Sequence, residues 1–300
     1  MGSRRRAQLF GVLGDPVDHS LSPAMHNAAF AAVGLPHLYL RYRVGARALP
    51  AALAEARRLG MGGLNLTVPL KEAVLPLLDA VTPEAARIGA VNTIVARGRR
   101  LLGDNTDARG FLRALAGRAR IRGARVVVIG AGGAARAVGA ALVAGGARHV
   151  AVVNRTVARG EALAARLAAL GCPEVAALPL PALAGRTVLA DASLVVNTTS
   201  AELRGGALRI RPAASPPGCL FVDLVYGTRP TPFLAAAARA GRPTADGTGM
   251  LLHQGALAFE AWTGRRAPLT AMARALAAAG LALTRPGGVG SVAAARPGTT

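Results

Sequence analysis

The sequence is short of cysteine and of long apolar runs. Its two cysteines, Cys172 and Cys219, show neither a C-x-x-C pattern nor the spacing of metal ligands, which argues against a metal site and favours a reduced, cytoplasmic protein. No apolar run approaches the length of a membrane span. The first one, residues 7–14, follows three arginines as in a signal peptide but breaks at a Gly-Asp-Pro turn, so we interpret it as an initial strand.

Lysine and aromatic residues are scarce as well. Lys71 is the one lysine in a chain with 36 basic residues, and the others are arginine. The formal charge of +21 raises nucleic acid as a partner. Yet the arginines are dense only at residues 3–7 and 97–100, and no interleaved aromatics, zinc spacing or helix-turn-helix pattern accompanies them. We therefore expect neither nucleic acid nor a membrane as a partner, and interpret the charge as solvated background that helps to steer anionic small molecules.

Alanine, leucine, valine and glycine are abundant in a chain of 300 residues that is 52% hydrophobic. This length favours two domains, and this composition is typical of helices packed on parallel sheets, so the sequence predicts an α/β fold. The first domain is predicted at residues 1–107. Its predicted strands cover residues 7–14, 38–44, 62–68 and 90–96, and its predicted helices cover residues 23–34, 49–60 and 71–81.

A strand, a glycine turn, a helix and a second strand follow one another in residues 124–156. This unit is typical of a Rossmann-like domain, which we predict at residues 108–246. A helix over residues 108–120 leads into the domain. Further parallel strands are predicted within residues 188–200 and 219–226.

The last part of the chain contains two helical stretches, in residues 247–284, with no strand of their own to cover. They are predicted to return and pack on the first domain, which leaves a cleft between the two domains. Residues 285–300 lack hydrophobic periodicity and are predicted to form a disordered tail.

The glycine turn begins at Gly130, reads "GAGGAA" and fits G-x-G-x-x-A. Because it follows a strand and begins a helix, its context supports dinucleotide binding, although an ordinary strand-to-helix turn remains the alternative. Gly130 would permit the tight turn, and Gly132 the approach of a pyrophosphate to the helix N-terminus. Gly133 and Ala134 are expected to leave that approach unobstructed. Ala131 completes the predicted cofactor loop.

The second strand of this unit ends without an acidic residue. An NAD site normally presents Asp or Glu here to the ribose 2′-hydroxyl, whereas this chain has Asn154, Arg155 and Thr156, and then Arg159. A carboxylate would repel a 2′-phosphate, but arginine can pair with it and stack on the adenine. The sequence therefore favours NADP(H) over NAD as the cofactor.

Eight motifs occur in one order along residues 8–284. They are "GVLGDPVDHSLSPAMHNAAF", "GGLNLTVPLKE", "GAVNTI", "GDNTDARGF", "GAGGAARA", "NRT", "DLVYGTRPTPFL" and "GMLLHQGALAFEAWTG". In this order and spacing the chain resembles the shikimate/quinate dehydrogenase family. The resemblance implies an N-terminal substrate domain, a Rossmann-like NADP-binding domain, and reduction of 3-dehydroshikimate to shikimate by NADPH on the chorismate route to aromatic amino acids.

The resemblance also implies which residues bind the substrate. Ser20 and Ser22 match the serines that hold the carboxylate, although a serine-rich segment before a helix is also typical of an N-cap. Asn65 is expected to shape the pocket wall, with a structural role in a turn as the alternative. The positions that match residues holding the ring hydroxyls are Thr67, Asn92, Asp107 and Gln254.

Three further positions match residues between the substrate and the cofactor. Tyr226 matches a tyrosine that lines the cleft, and Leu224 and Gly247 match positions near the nicotinamide. The chain departs from the family pattern at Ala108 and Arg109, and in the loops that follow "NTTS" and Tyr226. Because these loops are expected near the cofactor, the departures bear on cofactor affinity more than on activity.

Lys71 and Asp107 match the catalytic pair of the family. Reduction of the keto group needs a proton for the developing alkoxide. Deprotonation at pH 7 costs about 4.6 kcal/mol for an ordinary lysine and at least about 7.5 kcal/mol for an arginine, so only lysine suits a proton exchange. The resemblance assigns the pair jointly, with Lys71 as proton donor in the reductive direction and Asp107 as its orienter and proton partner.

Two rival functions remain open at this stage. A family member that acts on quinate or on an aminated shikimate would share most motifs, although Ser20 and Ser22 favour shikimate over the bulkier quinate. The second rival is a non-enzymatic protein that has kept the fold to bind NADP or nucleic acid, against which the intact Lys71 and Asp107 argue. Neither a heptad seam nor a long apolar patch fixes the oligomeric state, and a homodimer is left open.

Overall fold

A computed structural model describes residues 6–201, 206 and 208–282. The predicted tail at residues 285–300 and most of the basic run at 3–7 lie outside the described residues. Within the described part of the chain, no helix is both long and apolar enough to span a membrane.

The first sheet has six strands and is mixed. Its strands are β1 (Leu9–Gly14), β2 (Leu38–Arg43), β3 (Gly63–Leu66), β4 (Ala80–Val81), β5 (Thr93–Arg97) and β6 (Arg100–Asp104). They lie in the order β2-β1-β3-β5-β6-β4. β1 is parallel to both β2 and β3, whereas β5 runs antiparallel to β3 and β6. Four helices accompany this sheet, namely α1 (Ser22–Ala32), α2 (Leu49–Leu59), α3 (Leu70–Ala73) and α4 (Pro83–Ile88).

The helix predicted over residues 71–81 is wrong. The structure has the single turn α3, a 3-10 turn at Leu75–Leu77 and the short strand β4. Pro76 explains the break, because proline has no N–H to donate and its ring clashes with the preceding turn. Beyond it, the backbone N–H of Asp79 donates to the Leu101 carbonyl at 3.1 Å and joins the edge of the sheet.

The second sheet also has six strands, and all are parallel. Its strands are β7 (Arg125–Ile129), β8 (His149–Asn154), β9 (Glu174–Pro179), β10 (Leu194–Asn197), β11 (Leu220–Asp223) and β12 (Thr244–Ala245). Their order is β12-β11-β10-β7-β8-β9. The sheet therefore grows outward in one direction from β7 to β9 and in the opposite direction from β10 to β12, and the strand order reverses between β7 and β10. Ligands of such sheets bind in the crevice at the carboxyl ends of the strands where the order reverses. The helices α5 (Asp107–Leu115), α6 (Gly133–Ala144), α7 (Val157–Ala169) and α8 (Pro232–Arg239) pack on this sheet.

Two final helices, α9 (Thr248–Thr263) and α10 (Leu269–Ala278), pack against α1 and the first sheet. The indole N–H of Trp262 donates to the Ile94 carbonyl at 2.9 Å and anchors α9 on β5. α9 also packs closely on α5 at Gly110. A Cβ on this glycine would lie only 2.7 Å from the Gln254 backbone nitrogen, so the close approach requires glycine. The pair α5–α9 therefore joins the two sheets and forms one wall of the space between them.

Half of the ten Phe, Tyr and Trp residues lie in the core between α1, β1 and α9, where three of them contact a buried histidine. His26 stacks on Tyr39 with ring centroids 4.5 Å apart and an interplanar angle of 14°. Neither of its ring nitrogens has a hydrogen-bond partner among the described residues. Burial lowers the pKa of His26 from 6.5 to about 3.

This histidine makes the fold sensitive to acid. Its pKa is lower in the folded than in the unfolded chain, so below pH 6.5 the unfolded state binds the proton first and stability falls until about pH 3. Between pH 7.5 and 4.5 the wild type is expected to lose about 2 to 3 kcal/mol more unfolding free energy than His26→Phe, because the variant has no imidazole to protonate. Urea denaturation at both pH values measures this difference. Equal acid losses in the two proteins would contradict a neutral, buried His26.

Candidate active site

A cavity of about 540 Å³ lies between the two sheets, and both domains line it. Its walls bring together most of the residues that the sequence predicts for substrate and nicotinamide. From residues 1–107 and the start of the final helices come Ser20, Ser22, Asn65, Thr67, Lys71, Asn92, Asp107, Gly247 and Gln254. From the parallel-sheet domain come Ala134, Leu224 and Tyr226.

Lys71 and Asp107 form an ion pair in this cavity. Lys71 Nζ lies 2.6 Å from Asp107 Oδ2, and the side chains are 15% and 5% exposed. The second carboxylate oxygen, Oδ1, accepts a hydrogen bond of 2.8 Å from the side-chain amide of Asn92. Both oxygens of Asp107 are therefore engaged, and the carboxylate holds the ammonium group in one place.

Asn92 belongs to a buried polar network at the start of β5. Its Oδ1 accepts a hydrogen bond of 2.8 Å from the Thr106 backbone N–H, just before α5 begins. Its Nδ2 lies 3.4 Å from Gln254 Oε1 on α9. Asn92 thus connects three elements that carry site residues, and it fixes the orientation of Asp107 on α5.

The local fold fixes Lys71 through its backbone. The Val91 N–H donates to the Lys71 carbonyl at 2.8 Å, which ties α3 to the segment before β5. Leu70, the preceding residue, is fully buried and anchors the turn. Thr67 closes the turn by accepting a backbone hydrogen bond from Leu70 at 2.8 Å.

The two serines at the start of α1 line the cavity and do not cap the helix. The N-cap position is Leu21, and no side chain caps α1. Ser20 and Ser22 are both buried, and Ser20 Oγ accepts a hydrogen bond of 3.3 Å from the Ser22 backbone. Both serines line the cavity, together with other amide and hydroxyl side chains and with apolar ones.

Asn65 lies in β3, not in a turn, and its side chain is held from two sides. It accepts a hydrogen bond of 2.8 Å from the Tyr39 hydroxyl and donates at 3.1 Å to the Asn92 carbonyl. A contribution to the pocket wall and a structural role are therefore compatible at this position.

Tyr226 reaches across the cavity from the loop after β11. Burial raises the pKa of its phenol, and hydrogen bonds with the Leu21 backbone and the Ser20 side chain partly offset this effect. The tyrosine is thus neutral at physiological pH and adjoins Ser20.

The glycine loop between β7 and α6 presents an open backbone surface. Gly130 has a φ of +112°, which L side chains rarely adopt, and a Cβ there would lie 2.4 Å from Thr198 Oγ1. A Cβ on Gly132 would meet no atom within 4 Å. Ala131 is buried between them. The free space beside Gly132 and the start of α6 suits an anionic group.

Gly133 differs from its neighbours in the loop. A Cβ on this residue would lie 2.7 Å from Lys71 Cβ. The side of Gly133 that lacks a side chain therefore packs against Lys71 of the other domain.

The residues at the end of β8 lie outside the cavity, on the rim of the sheet. Arg155, Thr156 and Arg159 are exposed, and the Asn154 side-chain amide donates to the Thr156 carbonyl at 2.8 Å. Arg159 Nη2 lies 3.4 Å from Glu72 Oε1, which comes from α3 of the other domain. The predicted 2′-phosphate site therefore lies next to the turn that carries Lys71.

Sequence reasoning did not assign Thr198 and Thr199, which line the cavity after β10. The Thr198 hydroxyl donates to the Ile129 carbonyl at 2.7 Å and joins the ends of β7 and β10. Their position directly after a buried strand is the signal that could have identified them, because β10 borders the switch point of the sheet. Among the described residues, no group of three His, Cys, Asp or Glu side chains could hold a metal ion.

Comparison with known proteins gives family matches over three parts of the chain. Residues 12–94 match the shikimate dehydrogenase substrate binding domain, residues 114–224 match shikimate / quinate 5-dehydrogenase, and residues 247–277 match the shikimate 5'-dehydrogenase C-terminal domain. A shikimate dehydrogenase (NADP(+)) from Moorella thermoacetica is 49% identical over 271 residues, which cover 89% of this chain and 92% of that protein.

Two solved structures are informative neighbours. Shikimate 5-dehydrogenase from Thermus thermophilus, in complex with NADP(H) and shikimate, is 43% identical with a TM-score of 0.78, and the match covers 91% of this chain and 99% of that one. Quinate dehydrogenase from Corynebacterium glutamicum, in complex with NAD, is 34% identical with a TM-score of 0.80, and the match covers 91% and 100%.

Proposed function

The chain belongs to the shikimate/quinate dehydrogenase family, and we propose that it is an NADP-dependent shikimate dehydrogenase that reduces 3-dehydroshikimate to shikimate. The observation that carries this proposal is the Lys71–Asp107 pair, 2.6 Å apart in a cavity that also adjoins the glycine loop. A keto group bound there lies between a proton donor and the cofactor side of the cleft. Relatives at 42–49% identity that are named shikimate dehydrogenase (NADP(+)) support it.

The amide and hydroxyl side chains in the cavity wall support a small polyhydroxy acid as substrate. We propose that Ser20 and Ser22 bind its carboxylate and that Tyr226, which adjoins Ser20, closes this end of the cavity. The ring hydroxyls would be held by Thr67, Asn92, Asp107 and Gln254. Each of these residues lines the cavity and carries a group that can donate or accept a hydrogen bond.

The loop after β7 fits NADPH. The open surface at Gly132 and the N-terminus of α6 would hold the pyrophosphate, and Arg155 and Arg159 would hold the 2′-phosphate. Leu224 and Gly247, both in the cavity wall, would contact the nicotinamide. NADPH supplies the hydride of the reaction when it is bound.

In the proposed mechanism Lys71 donates a proton from Nζ to the oxygen that develops negative charge. Asp107 orients the ammonium group through Oδ2, and Asn92 holds the carboxylate through Oδ1. The low exposure of the pair keeps competing water away from the reacting oxygen. In the direction of shikimate oxidation, the same pair accepts the hydroxyl proton.

The wider role follows from this assignment and stays a prediction. We propose that the protein acts in the cytoplasm on the chorismate route to aromatic amino acids, without nucleic acid as a partner. A homodimer also stays a prediction, for which the edge strand β2, with the exposed Leu38 and Leu40, is the surface that offers support.

The substrate and cofactor can be tested in one assay. Initial rates on shikimate, on quinate and on an aminoshikimate, each with NADP and with NAD, are followed by the absorbance of the reduced nicotinamide. We expect the highest kcat/KM with shikimate and NADP. A higher value with quinate or the amine would replace the substrate assignment, and no turnover on any of them would favour the non-enzymatic rival.

The role of the arginines has its own test. Arg159→Gln is expected to raise the KM for NADP by about tenfold, since a charge-assisted phosphate contact is worth about 1.4 kcal/mol or more, and to leave the KM for NAD nearly unchanged. The NAD measurement on the same variant is the control. An equal change for both cofactors would show that Arg159 does not contact the 2′-phosphate.

Lys71→Arg tests the proton transfer. Arginine keeps the positive charge beside Asp107 but does not release a proton near neutral pH, so kcat is expected to fall by about 100-fold or more with a smaller change in the KM for shikimate. Arg239→Lys, an exchange of the same two residue types on the exposed side of α8, serves as the control. Normal turnover of Lys71→Arg would refute the proposed role.

A further inference from the structure

The start of α6 packs directly on the turn that carries Lys71. A Cβ at Gly133 would lie 2.7 Å from Lys71 Cβ, 3.3 Å from Lys71 Cδ and 3.5 Å from Ala90 Cβ. Lys71 Cβ is bonded to the backbone, so it cannot rotate away as the end of a long side chain could. Any residue other than glycine at position 133 therefore displaces Lys71, α3 or α6.

The reason for glycine here is steric and not conformational. Gly133 is the first residue of α6, and its φ lies outside the left-handed region. Its neighbour Gly132 has extended backbone, with φ −92° and ψ −173°, which other residues also adopt. A Cβ on Gly132 would point into open space, where the pyrophosphate is proposed to lie. The two adjacent glycines thus make room for different groups, Gly133 for Lys71 and Gly132 for the proposed pyrophosphate.

An ion pair fixes this contact between the domains. Glu72 follows Lys71 in α3, and its Oε2 lies 2.8 Å from Arg136 Nη2, one turn after Gly133 on α6. Its other oxygen lies 3.4 Å from Arg159 on α7. Lys71 is thus flanked by a close packing contact and by a carboxylate held from the cofactor domain.

We propose that Gly133 is a positioning residue for Lys71, so that the cofactor domain aligns the proton donor as well as binding the cofactor. Two contacts join α6 to α3, namely Gly133 with Lys71 and Arg136 with Glu72. Together they keep Lys71 Nζ within hydrogen-bonding distance of Asp107. This inference rests on the proposed function, because it concerns the proton-transfer step of that reaction.

Two matched variants separate alignment from cofactor binding. Gly133→Ala and Gly132→Ala each add one methyl group in adjacent positions of one loop, and both are expected to lose activity for different reasons. Gly133→Ala is expected to lower kcat by about 10- to 100-fold, because a displacement of about 1 Å at a reacting group has that order of effect. Gly132→Ala is expected to act on the cofactor, with a KM for NADP raised several-fold and a smaller change in kcat.

The readouts are kcat, the KM values for NADP and shikimate, and the solvent deuterium isotope effect on kcat. A misplaced Lys71 makes proton transfer slower relative to hydride transfer, so this isotope effect is expected to rise in Gly133→Ala and not in Gly132→Ala. Binding of NADPH, measured by its fluorescence, is expected to weaken more in Gly132→Ala than in Gly133→Ala. Gly218→Ala, which adds a methyl group in open space away from the site, controls for the exchange itself.

A third variant keeps the proposal falsifiable if Gly133→Ala does not fold. Glu72→Gln adds no bulk and removes the charge that holds α3 to Arg136, so it is expected to lower kcat by about two- to fivefold and to raise the isotope effect. The proposal is overturned if folded Gly133→Ala loses only NADP affinity or keeps the wild-type kcat and isotope effect. If Gly133→Ala does not fold, wild-type values in Glu72→Gln overturn it. Lack of turnover by the wild type on shikimate would instead refute the proposed function.

Discussion

The contact between α3 and its surroundings is the constraint on which the site depends. One short turn places Lys71 against Asp107 of α5, and its backbone carbonyl is bonded to Val91 before β5. The same turn presents Glu72 to Arg136 on α6. Because the turn has few hydrogen bonds of its own, its position is set by these outside partners, and both domains supply them. Lys71, the proposed proton donor, is therefore placed by the tertiary structure as a whole.

The cavity is lined by side chains of one domain and by backbone and side chains of the other, and the two parts differ in chemistry. The side proposed for the substrate carries amide and hydroxyl groups held by buried hydrogen bonds, of which the Asn92 network is the most connected. Its cofactor side consists of backbone at the carboxyl ends of parallel strands, where glycine leaves space for a phosphate. The joining wall of α5 and α9 brings Asp107 and Gln254 to the substrate side. The two sides therefore differ in what they offer a ligand, which is amide and hydroxyl side chains on one and glycine backbone on the other.

Much of the fold was accessible from the sequence, because hydrophobic runs and glycine turns report local geometry. The strand-turn-helix-strand unit at residues 124–156 appears in the structure as β7, α6 and β8. The sequence failed where local pattern and tertiary context conflict. Residues 71–81 have helical composition, yet Pro76 ends the helix and the edge of β6 captures the chain that follows. β6 itself was not predicted, since its "RLLGD" gains strand character from pairing with β5.

The family and the residue types of the site can be recognised from the amino-acid sequence alone. Three local features of the sequence each indicate one part of the chemistry. They are a single lysine among arginines, a glycine loop after a buried strand, and a strand that ends without an acidic residue. Which of these features act on one another depends on how the two domains pack. Gly133 lies 62 positions from Lys71 in the chain, so no local pattern could reveal that its missing side chain makes room for the lysine. Steric contacts between distant segments arise only when both domains have packed.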